Sequence, residues 1–183
     1  MVSAKIELNY MNWNAILFFK INSLVGKNRW LDAFGRAGAE FVIVAMLGWY
    51  MASSLIAARP QVAIVPIVLL ALAVVFGWVF NVGIGLLIKE PRPHVTYPQS
   101  KLLFTPMNSW KSFPSDHAMI AWLIFFMAIL FALPGLEMLL PLALWVSWGR
   151  VYAGVHYPFD IVGGMVVAAF MTAVSYYMLV TVF

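Results

Sequence analysis

Long apolar runs separated by short polar breaks dominate the chain. Ala37–Ala58 is interrupted only by Glu40, and Val62–Ile88 carries no charge. Ala118–Leu133 is short on its own but takes a first turn from Ser115–His117. Met138 to Ala153 holds Arg150 near its end, and Ile161–Phe183 is again uncharged. A membrane-spanning helix needs roughly 20 mostly apolar residues, and these runs are of that order. A sixth run, Trp13–Val25, contains Lys20 and several Asn, so it either lies in the interface or crosses at a tilt. The runs are continuous rather than alternating in strand-length pieces, which excludes a membrane β-barrel. The pattern predicts an all-α polytopic membrane bundle of six transmembrane segments, five if the first does not cross. It forms a single domain over 1–183, with no internal repeat.

The breaks between runs are mostly tight. Ala58-Arg59-Pro60-Gln61 and Leu133-Pro134-Gly135 read as turns. The one long connection, Lys89–Lys111, is rich in Pro, Ser, Thr and Lys. No signal peptide is expected, because the first apolar stretch follows Glu7 and Asn9 and no small-residue cleavage site comes after it.

Composition sharpens this picture. Of 183 residues, 64% are apolar and 10% charged, against about 45–50% and about 25% in ordinary soluble domains. Mean hydropathy is +0.92. A soluble domain and a disordered chain are both excluded. The absence of cysteine rules out a disulfide scaffold, thiolate zinc and cysteine catalysis. The net charge of +4 is spread thinly between apolar runs, which points to anionic lipid or phosphate and not to nucleic acid.

The few charges gather at the ends of runs. Lys89-Glu90-Pro91-Arg92-Pro93-His94 closes the third run, and Ser112-Phe113-Pro114-Ser115-Asp116-His117 opens the fourth. Gly149 to Asp160 joins the fifth to the sixth. All three His of the chain lie in these clusters. Two crossings separate the second cluster from the third, so both lie on one membrane face. The connection Lys89–Lys111 is too polar to cross, which puts the first cluster on that face too. Ionisable groups at membrane depth are expensive and usually functional, and this convergence exceeds ordinary snorkelling at an interface.

The gathered groups suit a phosphate. Arg92 and Arg150 are permanent cations with a bidentate fork. Ser115 reads as the N-cap of a helix whose free N–H groups attract an anion. Of the two imidazoles, His117 and His156, one could attack phosphorus and the other exchange a proton with the leaving oxygen and water. Asp160 follows His156 by four residues and could hold its ring in one tautomer. Each residue has a plainer alternative taken singly. An Arg at a helix end anchors to headgroups, a Ser-Asp pair caps a helix, and the Tyr and Trp form interfacial belts and core. A metal site of His117, His156 and Asp160 is conceivable, but two Arg at the same place oppose a cation. The joint occurrence favours function.

These residues resemble the type 2 phosphatidic acid phosphatase family, whose motifs are Lys-x6-Arg-Pro, Pro-Ser-Gly-His and Ser-Arg-x5-His-x3-Asp. Arg92-Pro93 matches the end of the first, Pro114-Ser115-Asp116-His117 the second with Asp for Gly, and Arg150, His156 and Asp160 the third at full spacing with Gly149 for Ser. The lysine of the first motif would fall at Gly85, so Lys89 or Lys111 stands as its substitute. Asp116, Glu90-Pro91-Arg92-Pro93 and His156-Tyr157-Pro158 are similar to the bacitracin-resistance type of undecaprenyl-diphosphatase within that family. The resemblance implies His156 as nucleophile, Asp160 as its orienting partner and His117 as acid. It implies Arg92, Ser115 and Arg150 as phosphate-binding groups; Lys89 is added to them as the substitute lysine, and Asp116, Glu90 and Lys111 are candidate modulators. It also implies no metal or other cofactor and a polyprenyl diphosphate lipid as substrate. The expected place is the bacterial cytoplasmic membrane, with the site on its outer face. The work expected is removal of the terminal phosphate in recycling of the cell-wall lipid carrier.

Charge counting opposes that orientation. Lys27, Arg29, Arg36, Lys101 and Lys111 fall on the site face, against Lys5 and Arg59 on the other. The positive-inside rule alone would turn the site to the cytoplasm. Two alternatives of function remain open at this stage. One is a phosphatase for phosphatidylglycerophosphate, phosphatidic acid or a lipid A phosphate. The other is a non-catalytic binder or transporter of phosphorylated lipids, which would need the Arg but not both His.

Overall fold

The computed structural model describes residues 12–57, 60–106 and 109–182. Lys5, Glu7, Asn9, Ala58 and Arg59, used in the reading above, lie outside the described residues, as does the first half of the Ala58–Gln61 turn. Among the described residues the regular structure is helical throughout. The α-helices are α1 (Trp13–Asn22), α2 (Arg29–Arg36), α3 (Val42–Ala57), α4 (Pro60–Ile88), α5 (Pro93–Thr96), α6 (Asp116–Leu130), α7 (Leu139–Tyr152) and α8 (Pro158–Val182). A π-helical turn, Ala37–Phe41, fuses α2 to α3, and a 3-10 turn, Leu136–Met138, leads into α7.

Three helical stretches are long and apolar enough to cross a membrane: Arg29–Ala57, Ile64–Thr96 and Pro158–Thr181. Asp116–Leu130 is a shorter apolar helix. α6 is the centre of the bundle. It packs along α8 and against α4, α3 and α7. Its Met119, Leu123, Ile124 and Met127 join Met46, Tyr50 and Val146 in a fully buried core. The outward faces are as apolar as the core: Ile56, Leu87, Val166 and Tyr177 are all exposed. A soluble surface would not carry so continuous an apolar girdle, and lipid is the solvent that accepts it.

The helix ends follow the capping signals. Ser115 is extended and accepts a hydrogen bond from Ala118 N at 3.4 Å, so α6 starts where the Pro-Ser pair places it. The break after α6 holds Gly135 with φ of 71°, a conformation glycine adopts without steric cost.

The Asn residues of the first run have a protein role. Asn22 donates to Lys101 O at 2.7 Å and Tyr152 O at 3.0 Å, and its Oδ1 accepts from Lys101 N at 2.8 Å. Asn14 Oδ1 accepts from Phe159 N at 3.0 Å. α1 thus clamps the long 97–106 connection and the start of α8. That connection is pinned further where Leu103 N donates to Ala153 O at 3.2 Å. It lies packed over one end of the bundle, above the polar clusters.

Candidate active site

The three polar clusters meet, and direct hydrogen bonds tie each to the other two. Arg92 Nη1, from the first, donates to Val155 O of the third at 2.9 Å. Ser112 N, from the second, donates to Glu90 O of the first at 2.7 Å. Ser115 N donates to Asp160 O of the third at 3.0 Å. The placement follows from the elements. Arg92 sits just past α4 as the N-cap position of α5, Ser115 and His117 open α6, Arg150 ends α7, and His156 and Asp160 straddle the start of α8.

At the middle is His156, 2% exposed. Its Nδ1 lies 3.2 Å from Asp160 Oδ2, and its Nε2 lies 3.4 Å from Arg92 Nη1. Asp160 is itself held, its Oδ2 accepting from Tyr157 N at 2.8 Å and from Ser112 Oγ at 2.5 Å. Pro158 starts α8, so His156 lies before the helix and Asp160 in its first turn, yet the two side chains meet. Burial lowers the His156 pKa well below 6.5, with the positive charges of Arg150 and Arg92 acting the same way. The negative charge of Asp116 and a hydrogen bond to the Ser112 backbone oppose them but do not prevail. The imidazole is therefore neutral and, with Nδ1–H donating to Asp160 Oδ2, keeps a lone pair on Nε2.

Arg150 is buried beside this pair. Its Nη1 donates to Ala39 O at 3.1 Å, and its Cζ lies 5.7 Å from the centre of the Phe104 ring. The acceptor belongs to the π turn. Such turns shift the register of backbone carbonyls and recur at functional sites. Gly149, next to Arg150, explains why the third motif departs from Ser here. A Cβ at this position would come within 2.7 Å of Ala39 N and 2.8 Å of Gly38 C. His117 is half-buried on the first turn of α6, within electrostatic reach of Arg150, His156, Asp116 and Arg92.

The structure thus brings together Arg92, Ser115, His117, Arg150, His156 and Asp160. Glu90 is half-buried at the edge, joined through its backbone to Ser112. Asp116 pairs with Lys111 at 2.9 Å. Lys89 lies outside this buried set: it is exposed at the end of α4, with φ of 52°. Three contributors escaped the sequence reading. Ser112 opens the second polar cluster but has no role assigned there, since a serine in a polar loop is unremarkable. The Ala39 carbonyl is backbone and has no signature. Asn81, whose Nδ2 donates to Asp116 Oδ1 at 2.9 Å, did have one, as the single amide in the run Val62–Ile88. Among the described residues, no group of three or more His, Asp or Glu is placed to hold a metal ion.

A family model described as the PAP2 superfamily matches residues 63–183. The putative undecaprenyl-diphosphatase YbjG of Escherichia coli K12 is 29% identical over 163 residues, covering 84% of this chain and 76% of YbjG. The undecaprenyl-diphosphatase BcrC of Bacillus subtilis 168 is 38% identical over 93 residues, covering 50% of this chain and 47% of BcrC. Among solved structures, LpxE of Aquifex aeolicus superposes with a TM-score of 0.68 at 24% identity, covering 92% of this chain and 97% of LpxE. A transmembrane PAP2 type phosphatidylglycerolphosphate phosphatase of Bacillus subtilis superposes with a TM-score of 0.65 at 20% identity, covering 92% of this chain and 87% of that one. At such identities the superpositions establish the fold.

Proposed function

The chain belongs to the PAP2 superfamily, as an integral membrane hydrolase of phosphate esters or anhydrides, and on that premise we propose that it removes the terminal phosphate of undecaprenyl diphosphate. The observation that carries the chemistry is the placement of His156, with Asp160 on one ring nitrogen and a guanidinium at the other. Nε2 attacks the terminal phosphorus, the anhydride P–O bond breaks, and a phospho-histidine forms. His117 gives a proton to the leaving undecaprenyl phosphate. It then takes one from the water that attacks the phospho-histidine, releasing inorganic phosphate and restoring His156. Arg92 and Arg150 bind the phosphoryl oxygens as their negative charge grows, with Ser115 and the N-terminus of α6 beside them.

The names of YbjG and BcrC support the substrate. The bundle is read as one phosphatase domain over 1–183. α6 and α7 cross the membrane beside the three long stretches, and α1 adds a sixth segment if it crosses. The lipid tail stays in the bilayer and only the headgroup enters the site, which positions the reacting bond at little entropic cost. The protein is placed in the bacterial cytoplasmic membrane with the site outward. One of the opposing loop charges, Lys111, is buried and bonds Asp116, and Lys101, exposed, is tied to Val25 O.

The test is phosphate release by purified protein in detergent, with and without chelator. Undecaprenyl diphosphate is compared with phosphatidylglycerophosphate and phosphatidic acid. Preference for undecaprenyl diphosphate, unchanged by chelator, is expected. Preference for a glycerophospholipid would replace the substrate, and stoichiometric lipid binding without phosphate release would make the protein a binder.

A further inference from the structure

Lys111 is the one buried lysine among the described residues, its side chain 3% exposed. Its amine donates to Asp116 Oδ1 at 2.9 Å, and the same oxygen accepts from Asn81 Nδ2 at 2.9 Å. Its aliphatic stem crosses α4 at Gly85, where an added Cβ would lie 2.6 Å from Lys111 Cδ. A side chain at 85 and the stem of Lys111 compete for one space.

Neutralising Asp116 does not require this arrangement. Its side chain is 28% exposed and a surface lysine would reach it. Burying an ammonium instead costs several kcal/mol before pairing repays it. The burial delivers the amine to a particular place. Asp116 lies between Ser115 and His117, and its charge acts on Arg92, His117, Arg150 and His156. An ammonium has three donors. Asp116 takes one, which leaves two for an anion bound beside Asp116.

We propose that Lys111 is a phosphate-binding residue, the third cation of the pocket, with its amine positioned by Asp116 and Asn81 and admitted by the missing side chain of Gly85. The inference rests on reading the pocket as a phosphatase site. It assigns the lysine to the connection before α6 and leaves Lys89 outside.

The experiment measures binding of radiolabelled inorganic phosphate to the full-length protein in detergent by equilibrium dialysis, with Tm measured in parallel. Lys111→Met keeps most of the stem and removes the charge, and it should weaken phosphate binding about tenfold or more, as loss of a charge-assisted contact does. Gly85→Ala keeps the charge but pushes the stem aside, and it should weaken binding about fivefold. A lysine that only stabilised the fold would lower Tm and leave the affinity of the folded protein unchanged. Phosphate affinity within about twofold of wild type in both variants overturns the proposal. If Lys111→Met does not fold, Gly85→Ala decides alone by the same threshold. Wild-type protein that binds no phosphate overturns this proposal and the pocket together. Because the probe is phosphate, a wrong lipid substrate shows in the release assay and leaves this result intact.

Discussion

Arg92 Nη1 stands 3.4 Å from His156 Nε2, across 64 positions of sequence. A guanidinium has donors and no acceptor, so Nε2 faces it as a lone pair. On the other side of the ring, Nδ1 lies 3.2 Å from a carboxylate that can only accept while ionised. The two neighbours demand the same tautomer, with the proton on Nδ1. In the proposed mechanism His156 is the nucleophile, and it then waits in the state that attack on phosphorus needs, with no prior proton transfer.

The first consequence concerns Asp160→Asn. An amide in place of the carboxylate can donate to Nδ1 and so stabilise the tautomer with hydrogen on Nε2. Substrate would still bind, since Arg92 and Arg150 remain. The expected change is a fall in kcat on the order of 10²–10⁴-fold with KM little altered. His156→Ala should leave no turnover above background. Ordinary turnover in His156→Ala, measured as phosphate release, would remove it from the mechanism.

The second concerns pH. Burial first, and then Arg150 and Arg92, push the His156 pKa below its usual 6.5. In the unfolded chain the same ring titrates near 6.5. Below that pH the unfolded state takes up a proton that the folded state refuses, so this group's contribution makes stability fall as pH drops. Histidine-selective NMR, with His156 assigned by its loss in His156→Ala, should show a neutral Nδ1–H imidazole at pH 6.5. A ring more than half protonated at that pH would contradict the assignment.

Charge in an apolar chain made much of this site legible. Where burying a charge costs several kcal/mol, Arg, His and Asp stand out, and Arg92, His117, Arg150, His156 and Asp160 are together as their motifs imply. What escaped was either uncharged or backbone. Ser112 and the carbonyls of Ala39 and Val155 hold the site in place, yet nothing in residue type marks them. The π turn at Ala37–Phe41 has no periodic signature, since one extra residue per turn is invisible in an apolar run. Asn14 and Asn22 read as interfacial polarity, although both bond to protein backbone. Sequence spacing offers both Lys89 and Lys111 for the missing lysine; burial, the pair with Asp116 and the packing of a stem over Gly85 set Lys111 apart.

The third consequence tests the fork of Arg150. One guanidinium nitrogen is spent on Ala39 O at 3.1 Å, and the group is buried over the Phe104 ring. Lysine keeps the charge but offers a single ammonium, so it cannot hold both the carbonyl and two phosphoryl oxygens. Arg150→Lys should lower kcat/KM by about 10–100-fold, the scale of one or two lost charge-assisted hydrogen bonds. A value within about threefold of wild type would mean that charge alone is used there.

The fourth turns on Gly149, where the family motif carries Ser. The neighbours of an added Cβ would be Ala39 N at 2.7 Å, Gly38 C at 2.8 Å and Gly35 O at 3.0 Å. All three are backbone atoms, which cannot rotate aside as a side-chain tip can. Restoring the family residue must therefore push α7 away from the π turn. Overpacking of this kind costs about 1–3 kcal/mol, so Gly149→Ser should lower Tm by several degrees. The next residue is Arg150, whose guanidinium is anchored on Ala39 O, and the displaced turn carries that anchor with it. Activity should then fall further than loss of folded protein explains, with kcat/KM reduced even at temperatures where the variant is fully folded. A Gly149→Ser protein with wild-type Tm and kcat/KM would show that the turn yields at no cost, and that Ala39 O does not fix the position of Arg150.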